Sequence, residues 1–295
     1  MAVNKLPLAK GVQFLSLLCE GSSMRSISRV VDVSINTVTK TLEDAGAACA
    51  DAHDELVRGV KANRVQCGEI WAFCGAKQKN VAAVKAPVDG AGDVRTWTAI
   101  EAETKLIISY MVGGRDSEYA MALVDDLRGR LATRVQLTTD GHRSYLNAVE
   151  EAFADDVDYA QLVKLYGEAP ESHKGRYSPV ECIGAKKERV TGNSDRDHIS
   201  TSYVERQNLN MRMGMRRFTR LTNAFSKKIE NHYHALALYF MFYNFVRVHK
   251  TLRMSPAMAA SVADRLWSMK NIVALIDARA EPAKWPATYR KRATD

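Results

Sequence analysis

Apolar, strand-like runs alternate with helical segments between Arg64 and Gly167, and this order is the strongest constraint on the fold. The run RVQCGEIWAFC, beginning at Arg64, is followed by RTWTAIEAE and KLIISYMVG, two β-rich runs joined by a short polar turn. A helix (DSEYAMALVDDLRGRLA), a strand ending at Asp140, a helix (YLNAVEEAF) and a strand (VDYAQLVKLYG) come next. This series predicts an α/β chain with a mixed sheet and flanking helices. We expect an irregular stretch from about residue 168 to residue 200, and long helices that begin near Ser202 and Lys228.

The first fifty residues predict a small all-α domain. Three short helical segments follow one another, and the third is expected to begin after an N-cap at Ser34 and to stop at Gly46. Short helices with a tight turn before the third are typical of a helix-turn-helix. On that interpretation four polar residues of the third helix face the DNA groove: Asn36, Thr37, Thr39 and Lys40. A three-helix packing module without DNA binding is the alternative.

Charge and composition narrow the class of protein. The chain has 295 residues, is 46% hydrophobic and carries a formal net charge of +8. Residues 201–253 include ten Lys or Arg but only two acids. Such a basic segment is typical of a protein that binds a polyanion, and a solvated helix face is the alternative. No apolar run is long enough to span a membrane and no secretory signal is evident, so we expect a cytoplasmic protein without membrane contact. The five scattered cysteines argue against a disulfide framework, and Cys67 and Cys74 are expected to be buried thiols.

Two carboxylates stand where α/β proteins often build sites. Asp140 ends a strand and precedes a glycine, and Glu205 begins a helix in TSYVERQNLNMR, with Arg212 two turns further on. Together they could hold Mg²⁺ against a phosphate, because hard cations prefer oxygen ligands. Spacing alone is also consistent with two structural roles: Asp140 as a turn residue, and Glu205 as a first-turn acid that the helix dipole stabilises.

Four segments carry a resemblance to a known family. They are CGEIWAFCGAKQKN, LTTDGHRSY, TSYVERQNLNMRM and YNFVRVHKTLRMSP, and with them the chain resembles bacterial insertion-sequence transposases of the DDE type, particularly the insertion-sequence-one group. The resemblance implies a ribonuclease H-like fold, whose element order matches the one above, and a core in which three carboxylates bind two Mg²⁺ ions, with Mn²⁺ as a substitute. It implies cleavage and joining of double-stranded DNA at transposon ends and target, by a homo-oligomer assembled on DNA.

The resemblance assigns roles residue by residue. Asp140 matches the second carboxylate, Glu205 the third and Arg212 the basic residue that follows it, while the first carboxylate is replaced by Gly68. Glu69 does not replace it, since adjacent strand residues point to opposite faces. This copy is therefore expected to cut DNA poorly. Four arginines are expected to contact DNA phosphates: Arg216, Arg217, Arg220 and Arg247.

The expected organisation has four parts. Residues 1–50 form the helix-turn-helix domain, 51–62 a helical linker, 63–270 the catalytic domain, and 271–295 a C-terminal helix and basic tail. His232 and His234 are expected in the core rather than at a metal, Asn244, Arg247 and His249 at DNA or beside Glu205, and His142 near the site or on a surface turn. Two other functions remain open: a non-catalytic helix-turn-helix regulator, and a structure-selective nuclease that does not join strands.

Overall fold

A six-stranded mixed sheet forms the centre of the molecule. The computed structural model describes residues 6–167, 181–219 and 222–279. The strands are β1 (Arg64–Cys74), β2 (Gly92–Glu101), β3 (Ile107–Gly113), β4 (Gln136–Asp140), β5 (Asp158–Tyr166) and β6 (Cys182–Thr191). Their order across the sheet is β3-β2-β1-β4-β5-β6. β1, β4 and β5 are parallel, and the other pairings are antiparallel. The predicted α/β class is confirmed, and the arrangement is compatible with a ribonuclease H-like fold.

The parallel strands bring the important strand ends to one edge. β1 pairs with β4 from Arg64↔Gln136 to Gln66↔Thr138, after which its ladder partner is β2, with a single bridge from Cys74 to Ser226. The carboxyl end of β4 therefore lies beside the middle of β1. In open α/β sheets this edge is where ligand sites are found.

Helices cover both faces of the sheet. Between strands lie α4 (Ser117–Arg130) and α5 (Ser144–Phe153), and after β6 come α6 (Ser202–Gly214), α7 (Ile229–Met241), α8 (Pro256–Ala259) and α9 (Met269–Arg279). α6 and α7 begin at the positions that the sequence predicts. None of the helices in the described ranges is long and apolar enough to cross a membrane.

β6 was not expected, because residues 168–200 were predicted to be irregular. It pairs antiparallel with β5 from Tyr159↔Thr191 to Tyr166↔Cys182. Most of its side chains are exposed, so the strand has no apolar period that a sequence pattern can reveal. Its partner strand, rather than its own composition, makes it a strand.

The N-terminal region is helical, with α1 (Leu8–Cys19), α2 (Met24–Val31) and α3 (Ile35–Leu56). Serine side chains cap the second and third helices: Ser23 accepts from the Ser26 N–H, and Ser34 from the Thr37 N–H. The predicted cap at Ser34 is thus confirmed. That these helices act as a DNA-binding helix-turn-helix remains a prediction.

The expected stop at Gly46 was wrong, because α3 continues for another ten residues to Leu56. Gly46 lies at the contact between α3 and α7 and does not end the helix. A Cβ placed there would lie 2.3 Å from His234 Cβ and 2.6 Å from the His234 carbonyl oxygen. The glycine therefore lets α3 and α7 approach closely.

Two expected domain boundaries fall within helices. The boundary at residue 50 falls inside α3, and only Asp51–Leu56 of the predicted helical linker is helical. Beyond it, Val60 bridges Leu131, and one buried core includes residues of α1, α3 and the sheet. α9 begins at Met269, before the boundary expected at 270, and residues 280–295 of the basic tail lie outside the described ranges. The functional division into a DNA-binding and a catalytic part remains a prediction.

Candidate functional site

A cleft opens where β1, β4 and the first turns of α6 meet. It measures about 1040 Å³, and its lining includes Gly68, Asp140, Glu205 and Arg212. The four residues that the sequence proposed for the site are thus close in space, although they span 145 positions from first to last. Their catalytic roles remain predictions.

Strand register places Gly68 and Asp140 on the same face of the sheet. Gln66 lies opposite Thr138 in the parallel ladder, and residues two apart along a strand share a face. Asp140 is the last residue of β4, and its Oδ1 accepts the His142 N–H at 3.1 Å. This hydrogen bond within the turn holds the carboxylate at the strand end.

Glu205 is held by contacts from two other elements. Thr201 Oγ1 donates to Glu205 Oε1 at 2.6 Å, and Lys164 Nζ of β5 lies 2.7 Å from the same oxygen. Partial burial acts to lower the pKa of Lys164, but the hydrogen bond and charge attraction of Glu205 outweigh it, so this pKa is raised. Sequence reasoning missed Lys164, whose only signal was its position two residues beyond the β5 partner of Asp140.

The start of α6 is anchored on β1. Gln66 Oε1 accepts the N–H groups of Tyr203 and Val204, at 2.8 and 3.3 Å, which satisfies donors that an α-helix leaves free in its first turn. One turn later, Asn208 Nδ2 donates to the Glu69 carbonyl oxygen at 3.2 Å. These bonds fix the distance between Gly68 and the Glu205 turn. Gln66 is a further residue of the site that sequence reasoning missed.

Gly68 lies directly beneath Val204 of α6. A Cβ at this position would be 3.0 Å from Val204 Cγ1 and 3.2 Å from Cγ2. Val204 is almost fully buried, so it has little room to move. A larger residue at position 68 therefore requires an adjustment of α6 or of the Val204 side chain.

Glu69 points away from this face, as the strand alternation predicts. Its Oε1 lies 2.5 Å from Arg115 Nε and 3.6 Å from Arg95 Nη1, and its side chain is only 6% exposed. It reaches the margin of the cleft, where its Oε2 has no hydrogen-bond partner among the described residues. Glu69 thus pairs with two arginines, and that it does not replace the carboxylate missing at Gly68 remains a prediction.

The cleft contains oxygen donors of the kind that hard cations prefer. Asp140 and Glu205 supply carboxylates, and the Asn208 amide oxygen, also at the cleft, has no partner within the described residues. Mg²⁺ is commonly bound by one or two carboxylates together with waters and substrate phosphates. Nowhere in residues 6–167, 181–219 and 222–279 do three or more His, Cys, Asp or Glu side chains form a group that could hold a metal ion. No metal site is thus shown within the described residues, and the binding of one or two Mg²⁺ ions here remains a prediction.

The basic residues after Glu205 differ in exposure. Arg212 and Arg216 are exposed, as is Arg247. Arg217 is half-buried and donates to Ser226 Oγ at 2.8 Å and to Met24 Sδ at 3.7 Å, and desolvation lowers its pKa to about 10. Arg217 thus holds the segment after α6 against α2, and its expected contact with DNA phosphates remains a prediction. Arg220 lies outside the described residues.

The four polar residues of α3 that were expected to face DNA also differ in exposure. Asn36 and Lys40 are exposed, and Lys40 pairs with Asp44 at 3.0 Å. Thr37 Oγ1 bonds to Ser34 Oγ within the cap. Thr39 lines a cavity of about 720 Å³ between the N-terminal helices and the segment after α6, whose wall includes Arg216. Asn36 and Lys40 are thus the two exposed members of the four, and their contact with DNA remains a prediction.

Several other side chains that the sequence analysis singled out make contacts within the protein. His232 is buried and bonds to Ser226 Oγ at 2.9 Å. Asn244 does not approach Glu205 or the surface, because its amide pairs with the Ile107 N–H and C=O at 3.0 and 2.9 Å. His142 lies at the cleft, in edge contact with the ring of Trp97. Cys67 and Cys74 are buried thiols whose pKa values are raised by desolvation.

Comparisons with known proteins identify no family. No family model matches the sequence, and no curated protein matches it. Among solved structures, the chain is similar to a piggyBac transposase in a synaptic complex with hairpin DNA, solved by cryo-EM. The identity is 9% and the TM-score 0.35, over 94% of this chain and 73% of that chain. A likeness at this level assigns neither a family nor an activity to the chain.

Proposed function

We propose that the chain is a DNA-binding protein of the insertion-sequence transposase type, with a ribonuclease H-like core and a weakened strand-cleavage site. The observation that supports this most is the cleft in which Asp140, Glu205 and Arg212 surround the position of Gly68. Carboxylates at a strand end and on a facing helix, with a cation beside them, are suited to phosphodiester chemistry.

In this proposal each side chain has a separate task. Asp140 and Glu205 would hold a Mg²⁺ ion, and the exposed Arg212 would attract the phosphate. The turn hydrogen bond of Asp140 and the Thr201 hydroxyl on Glu205 keep both carboxylates oriented before a substrate arrives. A bound Mg²⁺ would supply Lewis acidity toward a phosphoryl oxygen and lower the pKa of a water.

Gly68 limits the proposed activity. It contributes no ligand, and Lys164 already shares its charge with Glu205 Oε1. A site with one ligand missing holds its metal less firmly, and misplacement of reacting groups costs orders of magnitude in rate. The chain is therefore expected to bind DNA well and to cut it slowly.

Magnesium binding and plasmid nicking test the proposal together. The chain and its Asp140→Asn variant are titrated with Mg²⁺ by calorimetry and assayed on supercoiled DNA. The exposed Asp125 on α4 provides the matched control, Asp125→Asn. We expect loss of the Mg²⁺ heat and of residual nicking only in Asp140→Asn. Equal behaviour of the two variants would contradict the assignment of the cleft.

A non-catalytic helix-turn-helix regulator remains the second candidate. Lys164 already pairs with Glu205, the carboxylate that a metal ion would need as a ligand. Duplex binding without any Mg²⁺ binding would favour it. Nicking without joining of a labelled 3′ end to target DNA would favour the nuclease instead.

A further inference from the structure

Three aromatic side chains form a partly exposed row that begins beside the cleft. Trp71 and Phe73 alternate along β1 on the same face as Glu69, with ring centroids 5.7 Å apart. Phe225 continues the row at 4.6 Å from Phe73. All three rings are half-buried, so each keeps part of its surface open. We call this row the aromatic strip (Trp71, Phe73 and Phe225).

Cations lie over the rings of the aromatic strip. Lys77 Nζ is 5.8 Å from the Trp71 centroid and 5.9 Å from that of Phe73, and Lys227 Nζ is 3.6 Å from the Phe225 centroid. Both lysines are exposed. The acid opposite Phe73 in the ladder is Asp93, whose carboxylate accepts the Gln78 N–H at 3.0 Å. The strip therefore combines open ring surface with positive charge.

The aromatic strip and the cleft lie on consecutive stretches of one strand. Glu69 reaches the cleft margin, and Trp71 follows two residues later, about 7 Å along an extended strand. β4 pairs with β1 only as far as Gln66, so Glu69 and Trp71 have no β4 residue beside them. The strip lies on the sheet face opposite Gly68, so a DNA strand with a phosphate in the cleft would reach it by passing Glu69 and Arg115 in the cleft wall.

Aromatic rings with interspersed cations match the chemistry of unpaired nucleic acid. Bases stack on aromatic side chains and lysines meet the phosphates, whereas an intact duplex keeps its base faces inside the stack. An apolar protein partner fits less well, because covering the strip would desolvate the lysines that lie on it. We propose that the aromatic strip binds unpaired bases of a DNA strand held in the cleft. This inference rests on the proposed function, since it presumes that DNA occupies the cleft.

The test compares two labelled DNAs that differ only in an unpaired end. The full chain is titrated by fluorescence anisotropy with a short blunt duplex and with the same duplex extended by a run of unpaired thymidines. Tryptophan emission is followed at the same time, because a base stacked on an indole quenches it. Trp71→Leu and Phe225→Leu remove the rings but keep apolar volume. The control is Trp267→Leu, a half-buried tryptophan packed at 4.7 Å on Phe245 in the wall of a different cavity.

We expect the extended DNA to bind at least about fivefold more tightly than the blunt duplex, the lower end of base–aromatic stacking. Both strip variants should lose this preference, and Trp71→Leu should do so with blunt-duplex affinity and thermal melting unchanged. Trp267→Leu should retain the preference and the quenching. Equal affinity of the intact chain for the two DNAs would overturn the inference while leaving the proposed function in place. So would a weakening in the strip variants that is equal for both DNAs. If the strip variants kept the DNA preference but differed from the intact chain in the mass measured by light scattering, the strip would instead be a contact with a second copy of the chain. Binding of neither DNA would overturn the proposed function as well.

Discussion

At the scale of single residues, position 68 is where the proposed chemistry and the packing conflict. A carboxylate there would complete the ligand set beside Asp140 and Glu205. Its Cβ, however, would be 3.0 Å from a methyl group of the buried Val204. Without the two Val204 methyl groups, the nearest remaining atom of that side chain would be its Cβ, at 3.7 Å. Ligand gain and steric cost can therefore be separated by mutating both positions.

We expect the double variant Gly68→Asp, Val204→Ala to raise Mg²⁺-dependent cleavage by about a hundredfold, the scale of positioning effects. Gly68→Asp alone should gain less and melt at a lower temperature, because its Cβ presses on Val204. The measurement is cleavage of supercoiled DNA at varied Mg²⁺ concentration, with thermal melting in parallel.

Val204→Ala alone is the control for the cavity that the double variant opens. Asp140→Ala in the double variant should abolish the gain. No gain in the double variant, despite a normal melting temperature, would show that position 68 does not contribute a ligand.

At the scale of helices, two interior glycines have opposite environments. A Cβ at Gly11 in α1 would meet Val273 of α9 at 3.5 Å, an ordinary van der Waals distance. A Cβ at Gly46 in α3 would overlap His234 of α7. Both lie within helices, where glycine has a low intrinsic propensity.

Gly11→Ala should therefore stabilise the protein by about 0.5–1 kcal/mol, the usual difference between glycine and alanine within a helix. Gly46→Ala should destabilise it by about 1–3 kcal/mol, as overpacking does. Urea unfolding followed by circular dichroism measures both. Stabilisation by both substitutions would mean that α3 and α7 do not pack as described.

At the scale of the whole molecule, exposed cations after α6 face the N-terminal helices across a cavity. Arg216, Lys227 and Lys228 line it together with Arg25 of α2. A polyanion lying there would touch both parts of the chain. Charge reversal in this region should act on affinity for any sequence, whereas groove contacts from α3 should act on sequence preference.

We expect Arg216→Glu, Lys227→Glu and Lys228→Glu together to weaken duplex binding for all sequences. The salt slope should become shallower by about 0.9 for each phosphate that the variant no longer neutralises. Asn36→Ala with Lys40→Ala should reduce the difference between preferred and random DNA instead. Dissociation constants across a range of salt concentrations measure both effects.

The matched control reverses three exposed cations elsewhere, Lys61, Arg265 and Lys270, with the same change of net charge. An equal drop in affinity in that control would mean that total charge, rather than this surface, governs binding.

Two buried histidines make the stability of the whole fold depend on pH. Burial, aided by Arg130, lowers the pKa of His53 to about 4, and burial, aided by Arg217, lowers that of His232 to about 3. Between these values and about 6.5, the ordinary histidine pKa, the unfolded chain binds more protons than the folded chain. The stability that these groups contribute is therefore fully present above about pH 6.5 and is lost as the pH falls toward the folded values.

The urea midpoint should fall between about pH 7 and about pH 5, with each histidine contributing up to about 1.4 kcal/mol per pH unit. His53→Gln keeps a donor for the Ile107 carbonyl and should flatten the profile, and the exposed His198→Gln is the surface control. A profile that His53→Gln leaves unchanged would contradict a neutral, buried His53.

Local patterns along the chain were enough to predict the cap at Ser34, the strand end at Asp140 and the opposite directions of Gly68 and Glu69. Each depends on neighbouring residues: a hydroxyl and the N–H three positions later, an apolar run before a turn, and the two-residue period of a strand. The order of strands and helices follows from the same periods, and it predicted the mixed sheet.

Only the tertiary structure decided which distant groups meet. It paired Lys164 with Glu205, packed Arg217 against Met24 of α2 and set Val204 over Gly68. It also let α3 continue past Gly46, where α7 packs closely. It also made a strand of the mostly exposed β6 by supplying a partner in β5. No period in the sequence records these contacts, because each depends on how two separately formed surfaces are oriented, and the orientation is set by packing and pairing across the whole chain.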